Sequence, residues 1–210
     1  MLFCPLCGSE QVTESVRTQG RTYLSCETCE LLFLTPSQRL TGAAEKARYE
    51  LHENTESNEG YVRFLEKVIV PLSECLSPAA KGVDFGCGPS ATLGALLAQR
   101  GFRVANYDPF FFPDPPEGKD YDFVTAVEVF EHFYRPAETI TDILSLLAPK
   151  GVLAVMTSAP PSFNRLSQWY YLRDPTHVSF YGETTMYWIA KKWQLSVVSP
   201  NENVWIFRKI

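Results

Sequence analysis

The chain has 210 residues, of which 45% are hydrophobic and 20% are charged, a composition typical of a globular protein. Its formal net charge is -5, which disfavours a nucleic-acid partner because binding to many phosphates requires a basic face. No apolar run reaches the roughly 20 residues that cross a bilayer, and the start lacks the regions of a signal peptide. We therefore expect a cytoplasmic protein without a membrane partner.

Two Cys-x-x-Cys pairs stand in the first unit of the chain, residues 1–38. They are Cys4 with Cys7 and Cys26 with Cys29, and their separation falls within the spacing of four-cysteine zinc sites. Four thiolates close a tetrahedron around zinc and leave no position for water, so the site is expected to be structural. The pattern predicts a small zinc ribbon, in which Zn²⁺ replaces the core that so short a segment cannot build.

The next unit, residues 39–77, is predicted to be a helical linker or lid. Ala43–Arg48 consists of strong helix formers, and Tyr61–Ile69 carries apolar residues at helical spacing. Pro71 and Pro78 are expected to end this region.

From residue 78 to residue 210 the pattern alternates between strand and helix. The predicted strands are Gly82–Phe85, Phe102–Tyr107, Asp122–Val127 and Gly151–Thr157, and the predicted helices are Pro89–Arg100, Pro136–Leu147 and 183–193. Two further strands, Leu195–Ser199 and Val204–Arg208, are separated by a short turn, which predicts an antiparallel hairpin. The expected fold is α/β, with a doubly wound, mostly parallel sheet that ends in this hairpin.

A glycine turn follows the first of these strands. Gly86 and Gly88 let the backbone approach a ligand closely, and Asp108, about twenty residues further on, suits a contact with ribose hydroxyls. A dinucleotide and a nucleoside with an amino-acid tail both fit this arrangement. Asp84 favours the second ligand, since a carboxylate is unhelpful beside a pyrophosphate and useful beside an ammonium group.

Three segments resemble class I S-adenosylmethionine-dependent methyltransferases. Asp84–Gly88 resembles their first motif, and Val127–His132 resembles the segment after their fourth strand in the group similar to ubiquinone-biosynthesis methylases. Leu147–Leu153 resembles their turn into the fifth strand. The resemblance covers about residues 78–210 and implies the Rossmann-like fold of that class. An N-terminal zinc ribbon also recurs in the broader group.

The resemblance implies that the cofactor is S-adenosylmethionine. Asp84 and the turn would hold its methionine part, Asp108 its ribose, and Glu128 would face it. The cofactor-binding residues expected on this basis are Asp84, Gly86, Cys87, Gly88, Asp108, Pro109, Glu128, Tyr49 and His52.

The chain departs from that family after Asp108. Only the 13 residues 109–121 precede Asp122, too few for the usual helix and third strand. One of the phenylalanines in this segment, 110–112, covers the adenine or fills the core beneath a shortened sheet edge, and both interpretations stay open.

Methyl transfer is an in-line displacement, for which the protein mainly supplies proximity. His132 and His177 are expected near the carboxyl ends of strands, where ligands bind in open α/β sheets. Either could act as a general base or simply support the site, and His177 is the preferred candidate on the acceptor side. The Asp-Pro-Pro-aromatic type of motif for nucleic-acid amino groups is missing, since Thr125–Glu128 stands there.

The prediction is therefore methyl transfer to a small-molecule acceptor, at oxygen in preference to carbon or nitrogen. Two alternatives stay open. One is an NAD(P)-dependent oxidoreductase, which the glycine turn alone supports. The other is a zinc-ribbon binding protein with a non-catalytic cofactor domain. The oligomeric state is not predicted.

Overall fold

The structure, a computed structural model, describes residues 2–51 and 54–210. The strands are β1 (Val12–Thr18), β2 (Arg21–Cys26), β3 (Leu32–Leu34), β4 (Lys81–Phe85), β5 (Arg103–Tyr107), β6 (Tyr121–Val127), β7 (Leu147–Met156), β8 (Ser179–Phe180), β9 (Leu195–Asn201) and β10 (Val204–Lys209). The helices are α1 (Gly42–Tyr49), α2 (Glu59–Glu74), α3 (Thr92–Gln99), α4 (Pro136–Leu146), α5 (Phe163–Leu166) and α6 (Glu183–Lys192). Short 3₁₀ helices cover Pro36–Gln38, Phe130–His132 and Tyr170–Arg173.

Six strands form the central sheet in the order β5-β4-β6-β7-β10-β9. The pairs among β4, β5, β6 and β7 are parallel, whereas β10 runs antiparallel to both β7 and β9. The prediction of a mostly parallel sheet ending in an antiparallel hairpin is thus confirmed. β5 is an edge strand, because the short segment after it forms no further strand within the described residues.

Side chains alternate between the two faces of this sheet, as strand geometry requires. Phe123 of β6 packs with the buried residues of α2 and α3. Its neighbour Val124 packs with those of α4 and α6 on the other face. Both faces of the parallel strands are therefore covered by helices, which is why apolar residues of β6 and β7 are buried on both faces.

A second sheet has the order β1-β2-β3-β8. Its first three strands form the cysteine-bearing ribbon, but β8 comes from the C-terminal half of the chain. Leu32 pairs with Phe180 and Phe33 with Ser179, and the Leu34 N–H donates to the Val178 carbonyl at 2.8 Å. The ribbon is therefore joined to the rest of the protein by backbone hydrogen bonds. The unit boundaries at residues 38 and 77 stay a prediction.

Two predicted helix boundaries were wrong. The helix expected at Pro89 begins at Thr92, because Ala91 has a left-handed φ of 45° and the residues before it form a turn. Pro71 does not end its helix but lies inside α2. Proline leaves the carbonyl four residues earlier without its helical donor, and here the Asn201 side chain donates to the Lys67 carbonyl at 3.0 Å.

No helix in residues 2–51 or 54–210 is long and apolar enough to cross a membrane.

Candidate active site

A cavity of about 950 Å³ opens where β4, β5 and β6 end, at Phe85, Tyr107 and Val127. The carboxyl ends of parallel strands are where open α/β sheets bind ligands. The glycine turn forms one part of the wall, α1 covers a second part, and the segment 170–177 forms a third. A cavity of this volume lies at the upper end of the range for small-molecule sites.

The two glycines of the turn have different surroundings. Both have left-handed φ angles, +76° at Gly86 and +65° at Gly88. A Cβ on Gly86 would lie 2.6 Å from a methyl carbon of Val129, whereas a Cβ on Gly88 would meet nothing within 4 Å. Gly86 is thus required by packing. Gly88 borders open space on the cavity wall, which leaves room for a ligand against the backbone.

Asp84 lies behind this turn and does not line the cavity. Its side chain is buried, with Oδ1 accepting a hydrogen bond from the Thr125 hydroxyl at 2.8 Å. Its Oδ2 is buried without a partner among the described residues. Burial raises the pKa of Asp84 to about 6. A direct contact with the methionine part of the cofactor therefore stays a prediction, and in this structure the carboxyl group is bonded to Thr125 of β6.

Asp108 lines the cavity and ties its neighbouring loops together. Its Oδ2 accepts from the Gly88 N–H at 3.1 Å, and its Oδ1 accepts from the N–H groups of Phe110 and Phe111 at 2.9 and 3.2 Å. A carboxylate has about four acceptor positions, so capacity is left for a ligand. The expected ribose contact is compatible with this placement.

The short segment after Asp108 also contributes to the wall. Pro109, Phe110 and Phe111 line the cavity, whereas Phe112 turns outward and pairs with Asp108 through its backbone. The Phe110 and Phe111 side chains are half-buried. Of the two open interpretations of these phenylalanines, a ligand-facing wall fits Phe110 and Phe111 better than core filling.

Glu128 shares a tyrosine with Glu131. The Tyr171 hydroxyl lies 3.0 Å from Oε2 of Glu128 and also bonds Oε1 of Glu131. A hydroxyl has one proton, so one of these contacts requires a protonated carboxyl group. Burial, and then the charge of Glu131, raise the pKa of Glu128 to about 8. This shift favours the protonated form of Glu128. Glu128 also adopts a left-handed φ of 54°, a strained conformation typical of functional sites.

The structure brings the two predicted histidines together. Their ring centroids are 4.9 Å apart. Nδ1 of His132 lies 3.1 Å from the Thr176 carbonyl and Nδ1 of His177 lies 2.8 Å from the Tyr171 carbonyl. Carbonyls only accept, so each Nδ1 carries a hydrogen, and in the neutral imidazole Nε2 then has the lone pair. Burial lowers the pKa of His177 to about 4, so it is neutral at pH 7.

Helix α1 covers the cavity between the histidines and the segment after Asp108, since the Tyr49 ring lies 5.8 Å from the Phe110 ring. The Tyr49 ring lies 5.1 Å from the His132 ring, and the Tyr49 hydroxyl donates to Glu45 at 2.7 Å. Arg48 forms a salt bridge of 2.9 Å with Asp174, which holds the helix to the segment that carries His177. Tyr49 lines the cavity, and its contact with the cofactor stays a prediction. The predicted contact of His52 lies outside the described residues.

Three residues that line the cavity are not among the predicted site residues. Glu131 and Tyr171 are linked by their hydrogen bond, and Asp174 is linked to α1. Glu131 directly precedes His132 in the chain, and this position beside a predicted site residue could have indicated that Glu131 belongs to the site. Tyr171 and Asp174 carried no such signal, because nothing local indicates that they reach Glu131 or Arg48.

The four predicted metal ligands also converge. The sulfur atoms of Cys4 and Cys29 are 3.5 Å apart and those of Cys7 and Cys26 are 3.4 Å apart, and all four lie within 4.8 Å of one another. Tetrahedral zinc with Zn–S bonds of about 2.3 Å has sulfurs roughly 3.8 Å apart. The donor set therefore fits Zn²⁺ with little adjustment, and this site lies apart from the cavity.

Comparison with known proteins agrees with this geometry. A sequence profile described as a methyltransferase domain matches residues 31–200, and the chain therefore belongs to this family, the class I S-adenosylmethionine-dependent methyltransferases. A malonyl-[acyl-carrier protein] O-methyltransferase from Halalkalibacterium halodurans is 28% identical over 40% of this chain and 41% of that protein. The chain thus matches less than half the length of this curated relative.

Solved structures show the same fold. A magnesium protoporphyrin IX methyltransferase from Synechocystis PCC 6803, with S-adenosylhomocysteine bound, has a TM-score of 0.54 at 16% identity, covering 81% of this chain and 95% of that chain. An O-methyltransferase family protein from Burkholderia thailandensis has a TM-score of 0.53 at 16% identity, covering 72% and 57% of the two chains. At such identities the likeness concerns the fold alone.

Proposed function

We propose that this protein transfers the methyl group of S-adenosylmethionine to an oxygen atom of a small-molecule acceptor. The observation that carries the proposal is the single cavity of about 950 Å³ that joins the glycine turn to the two histidines. Cofactor and acceptor must meet in one enclosed space for an in-line displacement. One part of the cavity wall, the glycine turn, suits the cofactor, and another part, the two histidines, can accept a proton.

The residues at the glycine turn fit the cofactor. Gly88 leaves open space against the backbone, and Asp108 retains acceptor capacity beside it. Phe110 and Phe111 offer aromatic surface to a flat base. When bound, S-adenosylmethionine supplies a methyl group already activated by the positive sulfur. The protein then has to hold the two reactants in line and exclude water.

The two histidines suit an acceptor with an acidic hydroxyl. His132 and His177 both keep an Nε2 lone pair. The pKa of His177 is about 4, so it is a weak base. A carboxylic acid is already ionised at neutral pH and needs no base, and a phenol loses its proton to a weak base more readily than an aliphatic alcohol does. The similar protein from Halalkalibacterium halodurans is named as an O-methyltransferase, which supports oxygen as the accepting atom.

The zinc ribbon is proposed as a structural element. Its thiolate set leaves no open position, so we assign it no step in the reaction.

Calorimetric titration with S-adenosylmethionine, S-adenosylhomocysteine and NADH tests the cofactor first. We expect binding of both sulfur compounds and weaker binding by Asp108→Ala. Binding of NADH alone would favour an oxidoreductase and overturn the proposal. The matched control is Asp142→Asn, which changes another cavity-lining carboxylate, on α4 and away from the glycine turn in the chain, and which should retain cofactor affinity.

Transfer of labelled methyl groups to pools of carboxylic acids, phenols, alcohols and amines then tests the acceptor. We expect labelling in the first two pools, and a large loss of turnover in His177→Ala with cofactor affinity retained. Labelling only of amines would contradict oxygen transfer. Cofactor binding without labelling of any pool, together with a partner protein captured through the ribbon, would favour a binding protein instead.

A further inference from the structure

Glu131, His132 and His177 form a cluster whose geometry goes beyond a hydrogen-bond network. One ligand atom from each residue lies within 4.8 Å of the others. Tetrahedral coordination at about 2.1 Å places ligand atoms roughly 3.4 Å apart, so a contraction of about an ångström would complete the set. All three residues line the cavity.

Both imidazoles are held in the manner of metal ligands. Each Nδ1 is engaged by a backbone carbonyl, that of Thr176 for His132 and that of Tyr171 for His177. Histidines that bind metals almost always donate their other N–H in this way, which fixes the tautomer and the ring orientation. Here both carbonyls belong to one short segment, so the same stretch of backbone orients both Nε2 lone pairs.

The carboxylate of Glu131 supplies the second, independent observation. Glu131 is fully buried, and Thr157 and Tyr171 hold its two oxygens. Across residues 2–51 and 54–210, no lysine or arginine forms a salt bridge with it. A buried carboxylate needs a positive partner, and each of its oxygens retains a lone pair for one.

We propose that Glu131, His132 and His177 bind a divalent first-row transition-metal ion, with Zn²⁺ as the reference ion. Two imidazoles and one carboxylate are the protein ligands of catalytic zinc and of open non-haem iron sites, both of which keep a free coordination position. Here that position would be filled from the cavity. The ion would also provide the positive charge that Glu131 otherwise lacks.

The role of this ion in transfer rests on the proposed function, whereas its binding does not. An acceptor hydroxyl that coordinates the ion becomes more acidic and releases its proton to water. The oxygen then forms the bond to the methyl carbon, and the carbon–sulfur bond breaks with its electron pair staying on sulfur. In this scheme the histidines act as ligands, and the metal replaces them in activating the acceptor.

Metal content tests the proposal without any acceptor. We expect the full-length protein, loaded with Zn²⁺ and desalted, to hold two equivalents per chain, one at the four cysteines and one at the cluster. Loading with Co²⁺ separates the two, because thiolate ligands give a strong near-ultraviolet charge-transfer band and the cluster does not. His177→Ala and Glu131→Gln should each lose one equivalent and keep the thiolate band.

The matched control is Glu128→Gln, which alters the other carboxyl group on Tyr171 and should keep two equivalents. The thiolate band and far-ultraviolet circular dichroism verify that each variant is folded. One equivalent in the wild type, or two in His177→Ala, would overturn the metal site. Two equivalents in a protein that methylates nothing would leave the metal site standing and remove the proposed function.

Discussion

Replacing each glycine of the turn with alanine separates the packing of the turn from the space it offers to a ligand. Both positions have left-handed φ angles, +76° and +65°, so alanine at either one costs about 1–2 kcal/mol of backbone strain. At Gly86 the new methyl group would also lie 2.6 and 2.8 Å from the two methyl carbons of Val129. Overpacking of this kind costs about 1–3 kcal/mol more.

We therefore expect Gly86→Ala to lower the free energy of unfolding by about 2–5 kcal/mol, a large part of the roughly 5–15 kcal/mol of a typical domain. Gly88→Ala, with nothing within 4 Å of its Cβ, should lower it by the backbone strain alone. Its methyl group would instead occupy the ligand space, and S-adenosylhomocysteine affinity should fall by about tenfold or more, equivalent to about 1.4 kcal/mol.

Urea denaturation followed by tryptophan fluorescence measures the free energy of unfolding, and calorimetric titration measures the S-adenosylhomocysteine affinity. The variant Gly86→Ala/Val129→Ala should show coupling, with a smaller stability loss than the sum of the two single losses. Equal destabilisation by the two glycine variants would refute the packing argument. Unchanged affinity in Gly88→Ala would show that the cofactor does not use the space beside this glycine.

Three further predictions concern charge and the contacts between distant segments. The pKa of Asp84 is about 6, above the ordinary 3.8, so the folded state binds its proton more tightly. The stability that Asp84 itself contributes should be fully present below pH ~4 and fall by up to about 3 kcal/mol as the pH rises through the folded-state pKa. The difference between thermal melts of the wild type and of Asp84→Asn should change with pH in this way, and a difference that stays constant across this range would contradict the argument. Cys29→Ser should remove zinc and loosen the β3–β8 pairing that leads to His177, so turnover should fall more than S-adenosylhomocysteine affinity; an equal loss of both would contradict this. Arg48→Met breaks the partly exposed salt bridge with Asp174 and should change the free energy of unfolding by only about 1 kcal/mol or less. It should nevertheless raise the KM for S-adenosylmethionine severalfold. An unchanged KM would show that α1 does not close over the cofactor.

Local patterns were sufficient for most of the central sheet and for part of the site. Gly86, Gly88 and Asp108 stand at the ends of two adjacent parallel strands, so the spacing along the chain already implied one shared edge. The metal site could likewise be predicted from the cysteine pairs, because each Cys-x-x-Cys turn presents both thiolates to the same side. The boundary at Thr92 was missed because a left-handed φ at Ala91 is unusual for alanine and has no sequence signal.

By itself, the sequence determined the parallel sheet with its terminal hairpin, the cofactor-type turn and the cysteine spacing, since each depends on periodicity or on residues a few positions apart. Only the tertiary structure decided that β8 completes the sheet of the ribbon, that Asp84 lies behind the turn, and that Glu131, His132 and His177 meet at one point. These features join segments tens to more than a hundred residues apart. They depend on how helices and strands pack, which no local pattern of side chains encodes.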